Sequence, residues 1–247
     1  MAGGYDTANI PEAKYGSQRN WFKRVITKYI LRKASHIICN SQYAKQETIA
    51  VAHVNPDKVS MIYHGIADAG IRISGKVDMA LNVGNVFEEN LLRKGIVPFL
   101  AAGQLLPSYR FVQAGKWKDN SYKKLQKYIT TNVELRGYVM DEELNSLFSQ
   151  SRVYIQPSLH EGFGLSVIEA MQAGCIPIIS RWGALPEVVG KYGIILEDET
   201  PEAIVRGIGE VDKYRFTPTE IREFVLANYN LDLRMDGLLK CINEMHS

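Results

Sequence analysis

Short apolar, β-branched runs return along most of the chain: "HIICNS" (36–41), "KVSMIYHG" (58–65), "MALNVGNV" (79–86), "YRFVQAG" (109–115), "NVELRGYV" (132–139), "RVYIQPS" (152–158), "IPIIS" (176–180) and "GIILE" (193–197). Bounded by Gly, Pro or polar residues, such runs predict buried strands. Between them lie helix-like segments at 41–51, 93–105, 119–129, 141–150, 165–174, 184–189 and 201–211. This alternation predicts an α/β protein built of βαβ units, with a parallel, doubly wound sheet whose ligands bind outside the carboxyl ends of the strands. The loops that follow strands then matter most: "VGN" (83–85), "AGK" (114–116), "RGY" (136–138), "PSLHEGFG" (157–164) and "SRWG" (180–183).

A polar break, "SGKVD" (74–78), reads as a linker. Residues 75–228 are long enough for a complete Rossmann-like domain, whereas 1–74 offer two strands and about two helices, the closing part of a domain whose beginning is absent. No internal repeat or low-complexity tract interrupts this division.

Residues 14–33, "KYGSQRNWFKRVITKYILRK", form a basic amphipathic pattern. Trp21/Phe22, Val25/Ile26 and Tyr29/Ile30 recur every four residues, with seven Lys or Arg and no acid. Such a helix either lies on an anionic membrane surface or packs its apolar face on the first strand, and packing is the expected case because most amphipathic helices do so.

Composition narrows the classes. Of 247 residues, 46% are hydrophobic and 23% charged, the balance of a soluble globular protein with a substantial core. Lys and Arg total 29 against 27 Asp and Glu, so the net charge of +2 points to no nucleic-acid partner. Cys39, Cys175 and Cys241 are far apart and form no C-x-x-C pair, which indicates neither a disulfide framework nor a zinc site and fits a reducing, cytoplasmic setting. The first residues carry no apolar signal region, and no apolar run approaches the ~18 residues of a membrane span, so neither export nor a transmembrane segment is expected.

The chemistry concentrates in "HEGFGLSVIEAMQAG" (160–174). Gly162 and Gly164 allow close backbone approach to a ligand, and the helix starting near Leu165 or Ser166 turns its positive end toward the same turn, a natural anion site. Glu161 and Glu169 would be repelled by that anion and suit neutral hydroxyl pairs, as on sugars. "SVIE" also matches a capping box, with Ser166 as N-cap and Glu169 three residues on, so Glu169 is either a cap or a ligand group.

At these residues the sequence resembles the group 1, or family 4, retaining nucleotide-sugar glycosyltransferases of GT-B fold. Their pattern is Pro-Ser, E-x-F-G-x-x-x-x-E, small-Gly-x-Pro and Gly-x-x-Pro-Glu, and the chain carries "PSLHEGFGLSVIEAMQAGCIPIISRWGALPEVV", with one residue more between Gly174 and Pro177. The resemblance runs from about Ala34 to Ile208 and implies a remnant of the acceptor-side domain with its hinge (1–74), a donor domain (75–228) and a C-terminal helix crossing back (229–247).

The family roles fall residue by residue. Glu161 would meet donor-sugar hydroxyls, with Gly162 and the backbone amides of Phe163, Gly164 and Leu165 beside the sugar and diphosphate. Glu169 would hold the ribose hydroxyls, Lys94 would neutralise the diphosphate, and Tyr138 and Val139 would meet the base through their backbone. Gly84 and Asn85 form the loop after the first strand of the donor domain, where the family usually has Gly-Arg; Arg93 is the candidate for the missing charge, and His160 is a polar neighbour. Glu161 and Lys94 are thus the expected catalytic pair.

What the resemblance implies is hexose transfer from a UDP-, GDP- or ADP-sugar to a glycan or lipid-linked acceptor, with retention, no cofactor and no metal. No D-x-D triplet is present, and "EDE" (197–199) reads as a solvated strand end. Two alternatives stand beside transfer: a catalytically silent nucleotide-sugar binding or regulatory subunit that needs a partner chain or second copy, and a sugar-nucleotide epimerase of the same fold. Localisation is expected to be cytoplasmic, with peripheral membrane contact through 14–33 if that helix does not pack.

Overall fold

The computed structural model describes residues 2–73 and 75–246; Ser74, within the expected linker, lies outside them. The N-terminal part holds α1 (Trp21–Lys33), β1 (Ile37–Cys39), α2 (Gln42–Ala52) and β2 (Val59–Met61). From there the chain runs β3 (Val77–Val83), α3 (Glu88–Arg93), α4 (Ile96–Leu105), β4 (Arg110–Ala114), β5 (Val133–Gly137), α5 (Asp141–Gln150), β6 (Ser151–Gln156), α6 (Leu165–Gln172), β7 (Ile176–Ile179), α7 (Leu185–Val189), β8 (Ile194–Ile195), α8 (Pro201–Gly209), α9 (Pro218–Asn228) and α10 (Leu231–His246). Each apolar run supplies one strand.

β1 and β2 pair in parallel, and the other six strands form one parallel sheet in the order β5-β4-β3-β6-β7-β8. Helices cover the larger sheet, so its strands are apolar on both faces: Leu81, Phe111, Val153, Ile155 and Ile178 are fully buried. The strand order reverses between β3 and β6, and the crevice outside their carboxyl ends is where this architecture places a ligand.

Three helical segments differ from expectation. The segment 93–105 is broken: α3 ends at Arg93, and Gly95 (φ 64°) starts α4. A Cβ on Gly95 would sit 2.3 Å from the Pro157 carbonyl oxygen, so close contact with the loop after β6 imposes both the break and the glycine. The segment 119–129 is a 3-10 helix, Asn120–Tyr128; its one buried apolar side chain, Leu125, gives too little apolar face to hold an α-helix.

The third is the basic helix. It begins at Trp21, with Asn20 capping the Lys23 amide, and its apolar face does not pack on β1. Trp21, Phe22, Tyr29 and Ile30 are 60–69% exposed, and Leu31 alone is buried. The small cluster built on Ile37, Cys39, Ala44, Ala52 and Val59 receives α1 only through Leu31, which leaves the apolar face unpartnered.

Polar contacts lock the two sheets together. The Glu187 carboxylate, on α7, accepts from the backbone amides of Gln42 (2.8 Å) and Tyr43 (3.0 Å) at the start of α2 and from the Tyr63 hydroxyl (2.9 Å). It neutralises the positive end of α2 and satisfies two amides that lack intrahelical partners. Ser41, the N-cap of α2, accepts from Ala44 and donates to the Gly162 carbonyl at 2.8 Å. Farther along, α9 and α10 lie against 62–66, where Tyr229 O accepts from the Ile66 amide and Arg234 donates to Tyr63 O.

Glu187→Ala removes a charged acceptor from three donors, so it is expected to cost roughly 2–3 kcal/mol of stability. Urea unfolding checks this, and Glu187→Gln is expected to recover part of the loss because its amide oxygen still accepts.

Candidate functional site

A cleft of about 650 Å³ opens at the carboxyl ends of β3 and β6. Ten of the thirteen residues singled out in the sequence line it: Gly84, Asn85, Arg93, Lys94, Glu161, Gly162, Phe163, Gly164, Leu165 and Glu169. The opposite wall is a Gly3–Tyr5 turn, pressed so close that a Cβ on Gly162 would lie 3.0 Å from the Gly4 nitrogen.

Gly84 admits the lysine, since a Cβ there would meet Lys94 Cδ at 2.8 Å. Lys94 Nζ then reaches Glu161 Oε1 at 3.1 Å, and Arg93 Nη1 reaches the same oxygen at 3.4 Å. Arg93 is buried and heavily engaged: Nε and Nη2 donate to Asn90 Oδ1 (2.9 and 2.7 Å), Nη1 donates to the His160 carbonyl, and the guanidinium lies over the Tyr15 ring at 4.4 Å. It is therefore tied into the wall, not a free replacement for the family's loop arginine.

The two glutamates differ electrostatically. Burial pushes the Glu161 carboxyl up, but Lys94 and then Arg93 outweigh it and hold it below the usual carboxylate range. Glu169 has weaker compensation: burial and the nearby Asp141 raise it, and Lys94 only partly opposes them. α6 starts at Gly164 (φ 103°), and no side chain caps it, so the amides at its N-terminus lie at the cleft with the helix's positive end.

The capping box is absent. Ser166 sits inside the helix and joins the Tyr154 hydroxyl (2.8 Å) and Gln156 Oε1 (3.2 Å), because glycine occupies the N-cap. His160 does not line the cleft. Its ring lies behind the loop, with Nε2 3.1 Å from Glu47, which also accepts from Thr7 and Tyr43. Tyr138 and Val139 also fall outside the cleft lining; Tyr138 is 72% exposed, and Val139 packs on the core.

Asn90, Tyr15 and the Gly3–Gly4 wall were not anticipated. Asn90 carried a faint signal, three residues before Arg93 on one helical face. The glycine pair marked a turn but not its place. Among the described residues, no group of three His, Cys, Asp or Glu is arranged to hold a metal.

The family model for group 1 glycosyl transferases matches residues 70–222. The chain belongs to this family. A second model, glycosyltransferase family 4, matches residues 7–69 of this group 1 member. An O-antigen chain mannosyltransferase B of Escherichia coli is 37% identical over 121 residues, 45% of this chain and 32% of that protein. The phosphatidylinositol N-acetylglucosaminyltransferase gpi3 subunit of Schizosaccharomyces pombe is 26% identical, covering 68% of this chain and 38% of its own length. An uncharacterized glycosyltransferase of Methanocaldococcus jannaschii is 25% identical, covering 81% and 56%. The chain thus spans from a third to just over half the length of these curated relatives.

Solved structures agree on the GT-B fold. The Anabaena protein HepE in complex with UDP and glucose superposes with a TM-score of 0.78 at 15% identity, over 90% of this chain and 67% of that one. Sucrose-phosphate synthase from Thermosynechococcus elongatus gives 0.78 at 22% identity, over 97% and 65%.

Glu161 stabilises the folded group 1 chain while ionised. Its folded pKa is lowered, so this contribution is complete above the unfolded value near 4.5 and is lost as pH falls through the folded value below it. Glu161→Gln is expected to cost roughly 3 kcal/mol at neutral pH by removing the charge that pairs buried Arg93 and partly buried Lys94, and to flatten the acid limb. Urea midpoints followed from pH 7 into the acid range check both.

Proposed function

We propose that this chain binds a nucleoside diphosphate sugar in the cleft and transfers its hexose to an acceptor with retention and without a metal. One observation carries the reading: two carboxylates, a lysine and an uncapped helix N-terminus face one cleft at the sheet's switch point. Diphosphate departure builds negative charge on phosphate and positive charge on the sugar. Lys94 and the α6 amides stabilise the first, exchanging Glu161 for the diphosphate as the lysine's partner. Glu161, with Gly162 and the amides of Phe163, Gly164 and Leu165, holds the sugar hydroxyls. Glu169 holds the ribose. Gly84 and Asn85 lie along the diphosphate, with Arg93 keeping Glu161 ionised, and Tyr138 and Val139 bound the base end.

On this reading 1–74 belong to the acceptor side with the hinge, 75–228 to the donor side, and 229–247 cross back between them. Support for a nucleotide-sugar donor comes from neighbours solved with UDP and with UDP-glucose, and for sugar transfer from relatives named as mannosyltransferases. A relative named as a subunit supports a second possibility, a chain that binds the donor but needs a partner chain for the acceptor. The exposed apolar face and basic flanks of α1 favour peripheral contact with an anionic membrane, suiting a lipid-linked acceptor on the cytoplasmic face.

Isothermal titration with UDP, GDP and ADP tests the donor reading: one nucleotide is expected to saturate, and Lys94→Ala and Glu169→Ala each to weaken it about tenfold, or ~1.4 kcal/mol. Absence of binding by all three overturns it. Glu169 accepts from a pair of hydroxyls with both oxygens only when ionised, and its carboxyl is raised, so affinity is expected to fall already above pH 4.5 as the pH is lowered, a dependence that Glu169→Gln removes.

A further inference from the structure

A second pocket, of about 440 Å³, adjoins the cleft and shares Tyr5, Tyr15 and Phe87 with it. Three cations line it, Lys14, Arg19 and Lys23, against one carboxylate, Glu89. No described carboxylate lies within ion-pair distance of any of the three; Lys23 Nζ bonds the Tyr5 hydroxyl at 2.9 Å. Unpaired cations that converge on a concavity favour an anionic occupant.

The rim is built, not draped. Ser17 and Gln18 are buried and donate to the Asp6 carbonyl at 2.6 and 2.8 Å. Ile10 and Tyr15 exchange backbone hydrogen bonds at 3.0 and 3.1 Å, and Lys14 between them is held at φ 52°, a conformation uncommon outside glycine. A Cβ on Gly16 would fall 1.9 Å from the Ala8 carbonyl oxygen, so the turn that carries Lys14 and Arg19 has one tight packing.

We propose that this pocket binds a phosphate or diphosphate group carried by the acceptor. It opens from the same cleft as Glu161 and Lys94, which places such a group beside the reacting sugar while the donor diphosphate keeps its own lysine and helix end. The apolar face of α1 starts at its rim with Trp21 and Phe22, so the phosphate is either lipid-borne, with its chain along that face, or part of a water-soluble acceptor. Assignment to the acceptor rests on the donor reading above; the anion site does not.

The test is titration with inorganic pyrophosphate at low ionic strength in Lys94→Ala protein, where the donor-side cation is gone. Saturable binding is expected, weakened at least about tenfold by adding Lys14→Ala, Arg19→Ala and Lys23→Ala, and retained in Arg19→Lys. All three side chains are exposed, so unchanged thermal melting confirms that the fold is intact. No binding in Lys94→Ala, or binding indifferent to the triple change, overturns the site. Nucleotide binding that survives the triple change in otherwise native protein shows two separate sites, whereas loss of both ligands together shows a single one and overturns the proposal. Failure of all nucleotides with pyrophosphate binding intact withdraws the acceptor assignment alone. Stronger retention on phosphatidic acid vesicles than on phosphatidylserine vesicles of equal charge, with the difference lost in the triple variant, assigns the phosphate to a lipid; pyrophosphate binding with equal retention on both assigns it to a soluble acceptor.

Discussion

A nearly buried carboxylate must be matched by cations or give up its charge, and Glu161 shows how much of this fold answers to that demand. Lys94 reaches it at 3.1 Å and Arg93 at 3.4 Å from the junction of two helices, while Glu161 belongs to the loop after β6. The ion cluster thus ties the β3 side of the sheet to the β6 side at the point where strand order reverses. The break at Gly95, the absent side chain at Gly84 and the Leu159 amide bonded to the Arg93 carbonyl all serve that junction. A ligand that takes Lys94 leaves Glu161 still held by Arg93, whose guanidinium offers five donors.

The second constraint lies between the sheets. The smaller sheet buries little, with eight residues in its core cluster, so polar contacts carry the docking. Glu187 caps α2, and Ser41 joins the cap of that helix to the Gly162 carbonyl. The ends of α2 and of the Glu161–Gly164 turn are thereby fixed to each other, and motion of one part is felt in the cleft. Tyr63, Phe163 and Tyr229 pack edge to face or tilted across the same boundary, with centroids 5.3–6.0 Å apart, so each part supplies rings to the contact.

The eight strands and most helices were legible because strands buried on both faces leave unbroken apolar runs, which need no knowledge of their neighbours. Six of the ten proposed site residues that gather in the cleft belong to one motif that fixes a loop and a helix start. The failures share one cause. His160 sits in the motif loop with its ring turned to Glu47, because which way a loop side chain faces depends on packing beyond the loop. Ser166 matched a capping box in letters, yet the helix takes Gly164 as its N-cap, two positions earlier, and the Ser166 hydroxyl joins Tyr154 and Gln156 instead. The apolar stripe of α1 was read correctly as a stripe and wrongly as packed.

The sequence by itself determined the α/β class, the parallel sheet, the motif loop with its two glutamates, and the family, since each is written in local periodicity or contiguous residues. Only the tertiary structure decided that Arg93 is a wall residue, that Glu187 caps a helix more than a hundred residues away, that a Gly3–Gly4 turn faces Gly162, and that three cations of the N-terminal turn share a pocket with Tyr5. These are meetings between distant segments. Charge, burial and backbone conformation settle them together once the chain is folded, and no single stretch of residues carries that information.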